Sequence, residues 1–438
     1  MPLVCLGLSH RTAPLEVRER HAFPASKMAE TIVALRDYEA VHEAAMLQTC
    51  GRLEFYAEVE EYEAGAMQLK SFLTNFRHAG LEYDLESYLY TLLGSSAAEH
   101  LFRVATGLDS MLVGEAEILG QVKDAYVQAQ RAGAVGATLH RLFHEALRAG
   151  KTARATTSIG GESLSLATAA IEAARARLGS LRDASVVIAG AGKMGRSALR
   201  RLREEGVARV VVANRTLSSA RALVAELGFG DAVEMTSLPA ALETADVLIA
   251  STGASHFIVT KPLLDAREAG KPFFVIDLAV PRDVDPEIAT LPGVTLVDVD
   301  GLRPVVEERL EVRREAIPDV ERIIARSLER FLRWYRSRLA SSAIASLTKK
   351  AEAVRASEVE RLLARCPELT ERERALVTGM SLTIVSKLLH SAIANIREKA
   401  TASEAETLSH VRILDELFEL NLAQSIAGLR ETQPHELK

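Results

Sequence analysis

The stretch Gly190-Ala191-Gly192-Lys193-Met194-Gly195 decides the fold of this chain. It follows the run Ser185-Val186-Val187-Ile188-Ala189, which has the β-branched composition of a buried strand, and it leads into a helical pattern. In that context Gly190 permits a tight turn, Gly192 lets the backbone approach a pyrophosphate, and Gly195 allows the helix to pack closely on the strand. The pyrophosphate would lie on the N–H groups of the helix N-terminus, so we predict a dinucleotide-binding site.

Three further β-rich runs continue this pattern on the C-terminal side of the turn. They occupy residues 209–213, 246–250 and 273–277, and helical stretches separate them. Strands that alternate with helices are the signature of a doubly wound parallel sheet. We therefore predict a Rossmann-like α/β domain over residues 160–300, opened by a helix that Ser163 caps.

The end of the second of these strands indicates which dinucleotide is bound. A site for NAD usually offers a carboxylate to the ribose 2′-hydroxyl about 20 residues after the glycine turn. This chain offers Asn214-Arg215-Thr216 instead. No carboxylate in that triplet repels a 2′-phosphate, and Arg215 can pair with one, although it can equally be an ordinary surface residue. The sequence thus favours NADPH over NADH.

A second informative stretch is Gln48-Thr49-Cys50-Gly51-Arg52, between the predicted strands 44–47 and 53–59. The pattern indicates two strands joined by a tight turn, with a thiol on the turn. A cysteine at such a turn can be partly exposed, and the neighbouring guanidinium favours the thiolate, which is the nucleophile. The alternative is a small buried hydrophobic residue, the commoner role of a free cysteine.

Composition limits the class of protein. The 438 residues carry 53 Lys and Arg against 59 Asp and Glu, a net charge of −6, and only three cysteines. Such a set of cysteines predicts neither a disulfide framework nor a zinc module. The N-terminus lacks the basic leader of a signal peptide, and no uninterrupted apolar stretch is long enough to span a bilayer, so we expect a cytoplasmic protein. The net charge does not exclude a nucleic-acid substrate, because a local basic face suffices to bind phosphates.

Beyond residue 300 the strand patterns stop and the chain becomes helical. A long charged helix with apolar residues three, four or seven apart is predicted over 301–340, with Pro318 as a kink or a join. A capping box from Thr370 to Glu373 opens a further helix. The apolar stripe of the long helix needs a partner, so we expect this part of the chain to build a dimer interface rather than an active site.

Histidines supply further candidates. His100 lies on a predicted helix, where a structural role and a role in acid–base catalysis are both open. His140 and His144 stand four residues apart on another helix, which is half of a metal site. No acidic third ligand is evident, so we expect no metal and interpret the helix as a basic solvated face that can meet phosphate. The basic residues around that pair are Arg141, Arg148, Lys151 and Arg154.

A thiol and a nicotinamide cofactor together indicate one class of reaction. Free carboxylates resist reduction by hydride, whereas a thioester carbonyl is poorly stabilised by resonance and carries a good leaving group. A nucleophilic cysteine with NADPH therefore points to reductive acyl transfer, in which an activated ester becomes a thioester and then an aldehyde. Cys5, in a predicted strand, and Cys366, before Pro367 in the helical tail, compete poorly with Cys50 for this role.

Five blocks of sequence, in order, give the chain a resemblance to the glutamyl-tRNA reductase family over nearly its whole length. Any single block could mislead, whereas five in order are highly specific. The blocks are Gly7-Leu8-Ser9-His10-Arg11-Thr12-Ala13-Pro14, then Thr49-Cys50-Gly51-Arg52, then the signature within 105–123, then the glycine turn with Asn214-Arg215-Thr216, and finally residues 276–283.

The resemblance implies an enzyme at the start of the five-carbon route to 5-aminolevulinate and tetrapyrroles, the porphyrin precursors. Cys50 would attack the ester that joins glutamate to the tRNA 3′ end, tRNA would leave, and NADPH would reduce the thioester to glutamate-1-semialdehyde. Arg52 would pair with the side-chain carboxylate of the substrate, and His100 would act as acid, base or positioning residue. The implied substrate-binding residues are Thr49, Gly51, Arg52, Ser110, Glu115, Ala116, Glu117 and Gln121.

The resemblance also implies an architecture. Residues 1–155 would form an α+β catalytic domain that binds glutamyl-tRNA, and 160–300 the NADPH-binding Rossmann-like domain. Residues 301–340 would form a long spinal helix, and 341–438 an all-helical dimerisation domain of a V-shaped homodimer. Direct transfer of the aldehyde to a glutamate-1-semialdehyde aminotransferase is a further hypothesis from the family.

The chain departs from the family pattern at three places. Asparagine usually stands where this chain has Gly51, the family's glutamate is commonly followed by Pro-Gln rather than Ala116-Glu117, and prolines are expected after His390. Two other functions stay open. One is a shikimate-dehydrogenase-like NADP oxidoreductase, which would need neither Cys50 nor the helical tail. The other is a degenerate reductase that only binds tRNA or regulates a partner.

Overall fold

The structure is a computed structural model that describes residues 2–76, 85–115, 117–160, 165–302, 315–399, 411 and 413–420. Ala116, one of the predicted substrate-binding residues, lies outside these ranges. So do Ser163, the predicted helix cap, and residues 303–314 of the predicted long helix.

The N-terminal part is built on a four-stranded antiparallel sheet. Its strands lie in the order β2-β3-β1-β4 and are β1 (Leu3–Ser9), β2 (Val41–Gln48), β3 (Arg52–Val59) and β4 (Tyr90–Leu93). The predicted strands 44–47 and 53–59 are confirmed as β2 and β3. The helices that pack with this sheet are α1 (Leu15–His21), α2 (Met28–Leu35), α3 (Tyr62–Phe76), α4 (Ser95–Thr106), α5 (Glu117–Arg131) and α6 (Ala137–Thr156).

The central part is a parallel sheet of six strands in the order β10-β9-β8-β5-β6-β7. This is the doubly wound order, with the topological switch point between β5 and β8, and the predicted Rossmann-like domain is confirmed. The strands are β5 (Ser185–Ala189), β6 (Arg209–Asn214), β7 (Asp231–Glu234), β8 (Val247–Ala250), β9 (Phe273–Asp277) and β10 (Val294–Asp298).

The helices of the central part are α7 (Leu166–Leu178), α8 (Lys193–Glu204), α9 (Leu217–Leu227) and α10 (Leu238–Glu243). Ser165 caps α7, because its hydroxyl oxygen accepts from the N–H of Thr168 at 3.2 Å. That bond is the usual N-cap contact between a serine side chain and the third residue of a helix.

A helix of 49 residues, α11 (Ile317–Arg365), follows. It extends well past the predicted end at residue 340, and Pro318 lies in its first turn, where a missing N–H costs no hydrogen bond, so it produces no kink. The first half of its apolar stripe is covered within the chain. Val320 and Phe331 are buried against the N-terminal core, with the Phe331 and Phe102 rings 6.4 Å apart.

The last long helix is α12 (Glu371–Lys399), which packs against the second half of α11. The predicted capping box is confirmed, because Thr370 N–H donates to Glu373 Oε2 at 2.8 Å and Glu373 N–H donates to Thr370 Oγ1 at 3.4 Å. Among the described residues, this helix alone is also long and apolar enough for a membrane span, a test that helices of soluble proteins pass as well.

Candidate active site

Cys50 lies at the tip of the hairpin that joins β2 to β3. The N–H of Thr49 donates to the carbonyl oxygen of Arg52 at 2.9 Å, and the N–H of Gly51 donates to Thr49 Oγ1 at 3.1 Å. From the end of β1, the N–H of His10 donates to the carbonyl oxygen of Gly51 at 2.8 Å. The predicted strand–turn–strand is confirmed, and hydrogen bonds from two directions hold its tip in place.

The thiol of this residue lies where the N-terminal and central parts meet. Cys50 is half-buried and packs, with Met111, against the core of the central domain. Burial raises the pKa of Cys50 to about 12, and the carboxylates of Glu115 and Glu117 contribute to the increase. The guanidinium of Arg18 acts in the opposite direction. The thiol is therefore protonated at neutral pH in the free protein.

Arg52 points into the interior of the N-terminal domain. Its side chain is 2% exposed, and Nη1 lies 2.6 Å from Glu54 Oε1 and 3.1 Å from Asp109 Oδ2. A further bond runs from Nη2 to the backbone carbonyl of Asp109. The expectation that the Arg52 guanidinium favours the thiolate of Cys50 is wrong, because two carboxylates already match its charge and the pKa of the thiol is raised. Its pairing with a substrate carboxylate stays a prediction.

Glu54 is the centre of this buried network. Its carboxylate accepts from the hydroxyl of Tyr56 at 2.7 Å and from that of Tyr90 at 2.5 Å, in addition to Arg52. His100 Nε2 lies 2.8 Å from Glu54 Oε1. Burial alone would raise the pKa of Glu54, but Arg52 and His100 hold it well below its ordinary value. The side chain is therefore a fixed negative charge that orients the groups around it.

His100 is held between two carboxylates. Besides its contact with Glu54, its Nδ1 lies 3.9 Å from Asp109 Oδ2, and the side chain is 14% exposed. Cys5, Glu54 and His100 place possible ligand atoms within 4.8 Å of one another. We assign no metal to them, because Glu54 Oε1 already receives Arg52 and Tyr90. The catalytic role predicted for His100 stays a prediction.

One predicted substrate-binding residue offers a buried polar atom that no described residue satisfies. Gln121 Oε1 is buried without a hydrogen-bond partner in the described part of the chain, whereas Ser110 lies within hydrogen-bonding reach of the Glu115 carboxylate. Buried polar atoms in native proteins are rarely left unpaired, so Gln121 fits a bound ligand. Burial and the charge of Glu117 raise the pKa of Glu115 to about 7, which makes it a group that can exchange a proton near neutral pH.

The glycine turn has the form that a dinucleotide requires. Gly190 has φ +112°, and a Cβ there would lie 2.5 Å from the carbonyl oxygen of Ser251. A Cβ at Gly195 would overlap the carbonyl oxygen of Gly190, whereas one at Gly192 would meet nothing within 4 Å. The first and third glycines are therefore needed for packing, and the second leaves open space beside the N-terminus of α8. These features fit a bound pyrophosphate.

At the end of β6, Asn214 is bonded to the glycine turn, whereas the next two residues are exposed. Asn214 Oδ1 accepts from the N–H of Ala191 at 3.2 Å, and its Nδ2 donates to the carbonyl of Thr216 at 2.9 Å. Asn214 thus fixes the glycine turn. Arg215 and Thr216 are exposed, and Arg215 forms no ion pair with any described residue. Lys193 of the turn lies 2.6 Å from Asp124 of α5.

Helix α1 connects the two parts that form the site, a role that the sequence did not reveal. Arg18 donates through Nη1 to the carbonyl oxygen of Cys50, and its Nη2 lies 2.6 Å from Asp300 Oδ1. One residue further, Glu19 lies 2.8 Å from Arg282 Nη2. The only signal in the sequence was a charged run after Pro14, whose partners in the central domain lie more than 260 residues away.

Family models match the chain in three consecutive ranges. A model described as the N-terminal domain of glutamyl-tRNA(Glu) reductase matches residues 6–157. A model of shikimate/quinate 5-dehydrogenase matches 172–305, and one of the glutamyl-tRNA(Glu) reductase dimerisation domain matches 319–420. The dehydrogenase resemblance is thus confined to the dinucleotide domain.

Individual proteins match over nearly the whole chain. The glutamyl-tRNA reductase of Moorella thermoacetica is 40% identical over 432 residues, which are 98% of this chain and 97% of that protein. That of Bacillus subtilis is 36% identical over 409 residues, 93% of this chain and 90% of that protein. The solved structure of the reductase from Methanopyrus kandleri, at 32% identity, covers 96% of this chain and 99% of its own, with a TM-score of 0.52.

Proposed function

This chain belongs to the glutamyl-tRNA reductase family, and we propose that it carries the glutamyl group as a thioester on Cys50. The family's reaction is the first step of tetrapyrrole synthesis by the five-carbon route. The observation that carries the thioester is the position of Cys50, on a fixed hairpin tip that packs against the dinucleotide domain. Of the other two cysteines, Cys5 is buried in β1 and Cys366 follows the end of α11.

The acyl transfer balances without an added reagent. The sulfur of Cys50 attacks the carbonyl carbon of the glutamyl ester, the S–C bond forms, and the C–O bond to the terminal ribose breaks. The tRNA leaves with a free hydroxyl, which takes up the proton that the thiol loses. Because the thiol has a pKa of about 12 in the free protein, we infer that it gives up this proton only once substrate is bound.

The cofactor would be held by the glycine turn. Gly190, Gly192 and the N-terminus of α8 would hold the pyrophosphate, with Asn214 and Arg215 beside the adenosine ribose. When bound, the nicotinamide supplies the hydride that takes the thioester to the aldehyde. We propose the phosphorylated form, NADPH, because the exposed Arg215 has no acidic partner among the described residues and can pair with a 2′-phosphate.

The substrate's glutamyl group would lie between the hairpin and the start of α5. Thr49, Gly51, Ser110, Glu115, Glu117 and Gln121 are the residues we propose for that surface. Gln121 offers a buried oxygen, Oε1, that no described residue satisfies. Arg52 and His100 both contact Glu54. From there Arg52 would pair with the side-chain carboxylate of the substrate, and His100 would act as acid, base or positioning residue.

The decisive experiment compares wild type with Cys50→Ser on glutamyl-tRNA and NADPH. We expect wild type to form glutamate-1-semialdehyde and the variant to lose that activity by at least about a hundredfold, while both bind tRNA and NADPH equally. Cys366→Ser, which changes a half-buried cysteine at the end of α11, serves as the matched control and should retain turnover. Activity that survives in Cys50→Ser overturns the thioester.

A wild type that binds tRNA without turnover indicates the degenerate reductase, and oxidation of shikimate-type substrates without glutamyl-tRNA indicates the dehydrogenase. Replacing NADPH with NADH in the same assay tests the choice of cofactor.

We also propose a cytoplasmic homodimer formed through the helical tail, in line with the dimerisation-domain match. The aldehyde product is unstable in water, which favours direct transfer to an aminotransferase. Equal accumulation of free aldehyde with and without that partner would contradict the transfer.

A further inference from the structure

One face of α6 carries a row of exposed basic and imidazole side chains that leads away from the active site. The row, which we call the basic stripe, consists of His140, His144, Arg148 and Lys151, all exposed. Their spacing of three or four residues places them on one side of the helix. The next position in the same series is Arg154, whose guanidinium donates to the backbone carbonyl of Glu115. From Arg154 back to His140 the helix extends about 21 Å, at about 1.5 Å for each residue.

No described residue neutralises the permanent charges of the stripe. Glu145 is the acidic residue of α6; it is buried and pairs with Arg141 at 3.0 Å and with Arg330 at 3.2 Å. Arg148 and Lys151 form no ion pair with the described residues. The two cations therefore project a positive field from a protein whose net charge is −6.

The position of the stripe indicates which ligand would lie in this positive field. In the proposed function, the 3′ end of a tRNA must reach Cys50, beside Glu115. The nucleotides that precede this end must then leave the site across the protein surface, and each carries a phosphate. Arg148 and Lys151, which have no ion-pair partner among the described residues, begin one helical turn from Arg154 and offer those phosphates two counter-charges.

We propose that the basic stripe of α6 binds the phosphate backbone of the tRNA acceptor strand and guides its 3′ end to Cys50. This inference rests on the proposed function, since it takes glutamyl-tRNA as the substrate. It assigns no sequence specificity to the stripe, because contacts to phosphate carry none directly.

The test measures binding of uncharged tRNA by fluorescence anisotropy over a range of salt concentrations, so it needs no turnover. We compare wild type with Arg148→Gln/Lys151→Gln. The matched control, Arg182→Gln/Arg209→Gln, removes two exposed cations. They lie just before β5 and at the first residue of β6, at the end of the central sheet away from the glycine turn. The stripe variant should bind about tenfold more weakly at low salt, and its slope of log Kd against log salt should fall by about 1.5. The control should match wild type.

Three further readouts make the result specific. The charge-preserving variant Arg148→Lys/Lys151→Arg should keep the wild-type salt slope, which excludes a loss caused by altered packing. In the reductase assay, the stripe variant should raise KM for glutamyl-tRNA and leave kcat within about twofold, because it alters binding far from the thiol. Its affinity for NADPH should not change.

The outcomes separate this inference from the proposed function. If wild type binds tRNA and reduces glutamyl-tRNA while the stripe variant has the same affinity and salt slope, the stripe is not the tRNA surface. Equal losses in the stripe variant and the control would also overturn it, because the effect would then reflect total charge. A wild type that binds no tRNA would contradict the proposed function itself.

Discussion

The groups around Cys50 oppose its ionisation, which is unusual for a nucleophile. Burial and Glu115 are the main causes of the raised pKa, and Glu117 adds to it from the start of α5. The positive charge of Arg18, which donates to the backbone carbonyl of Cys50, lowers the pKa of the thiol and so opposes these effects. A thiol with a pKa of about 12 reacts slowly with stray electrophiles, so it remains available for an ester that the site itself must position.

The substitution Glu117→Gln tests this account. It removes a negative charge that disfavours the thiolate, so the pKa of Cys50 should fall and alkylation by iodoacetamide at pH 8 should become severalfold faster. Mass spectrometry of the labelled peptides separates Cys50 from Cys5 and Cys366. Glu99→Gln, on the exposed surface of α4, is the control and should leave the rate unchanged. An unchanged or slower rate in Glu117→Gln would show that Glu117 does not contribute to the raised pKa of Cys50.

Single residues differ in how far the sequence foretells their roles. The three glycines of the turn were predictable, because backbone conformation and close approach are local requirements. The effect of Arg52 on the Cys50 thiol was predicted wrongly, because the sequence does not show the partners of its guanidinium. Asp109 lies 57 residues away, and Glu54 looks like an ordinary polar residue of a strand with alternating polarity. Gly51 is a milder case. A Cβ there would lie 3.6 Å from His10 Nδ1, an ordinary van der Waals contact, so a residue with a Cβ does not clash at this atom.

Elements with a buried face were the easiest to predict. The runs that became β5 and β9 are buried along their whole length. The edge strands β7 and β10 and the short β4 were not predicted, because their residues are half-buried or exposed and carry no continuous apolar signal. Helix α1 shows the other limit. Its role depends on Arg18 and Glu19 reaching partners in the central domain, and no local pattern encodes that.

The N-terminus of α6 rests on two buried carboxyls that share hydrogen bonds. Glu43 accepts from the N–H groups of Thr138 and Leu139 at 3.2 and 2.7 Å, and Glu58 accepts from the hydroxyl of Thr138 at 2.7 Å. Burial, followed by the hydrogen bond and charge of Glu43, raises the pKa of Glu58 to about 7. Arg338, at 3.8 Å from Glu58, only partly offsets this.

The pair makes the stability of the N-terminal domain depend on pH. Because the folded pKa of Glu58 lies above its unfolded value, its contribution is complete below the unfolded pKa and is lost as pH rises through about 7. We expect ionisation of this carboxyl to lower the free energy of unfolding by about 3 kcal/mol between pH 4.5 and pH 8.

The substitution Glu58→Gln tests this, because glutamine stays neutral. The difference in unfolding free energy between variant and wild type, measured in urea, should grow in favour of the variant as pH rises. The exposed Glu63→Gln is the control. A difference that does not vary with pH would contradict the assignment.

The active site and the exposed apolar surface lie near different ends of α11. The first half of this helix packs on the N-terminal core through Val320, Ile324 and Phe331. The expectation that the stripe of the long helix faces a dimer partner is therefore wrong for this half. The second half and α12 enclose a groove of about 500 Å³ lined by apolar side chains, among them Met380 and Ile384.

An apolar ridge on α12 is where we expect two copies to meet. Leu376, Met380, Ile384 and Leu388 follow one another at intervals of four residues, and their side chains are 65, 60, 49 and 74% exposed. Soluble proteins rarely leave so continuous an apolar surface in water, and the range 319–420 matches a dimerisation-domain model. A partner chain would remove this surface from solvent, with a gain of about 25 cal/mol for each Å² buried.

Leu376→Glu/Leu388→Glu should therefore convert the protein from a dimer to a monomer. Two charges on the ridge would have to be desolvated at the interface, a cost that the apolar contacts of their neighbours cannot offset. Sedimentation equilibrium should give twice 47.6 kDa for wild type and 47.6 kDa for the variant. Ser386→Glu, on the opposite side of α12, should remain dimeric. A monomeric wild type, or a variant of unchanged mass, would contradict the assignment. Since Cys50, the glycine turn and the α1 contacts all lie within one chain, the monomeric variant should still bind NADPH and should alkylate at Cys50 at the wild-type rate.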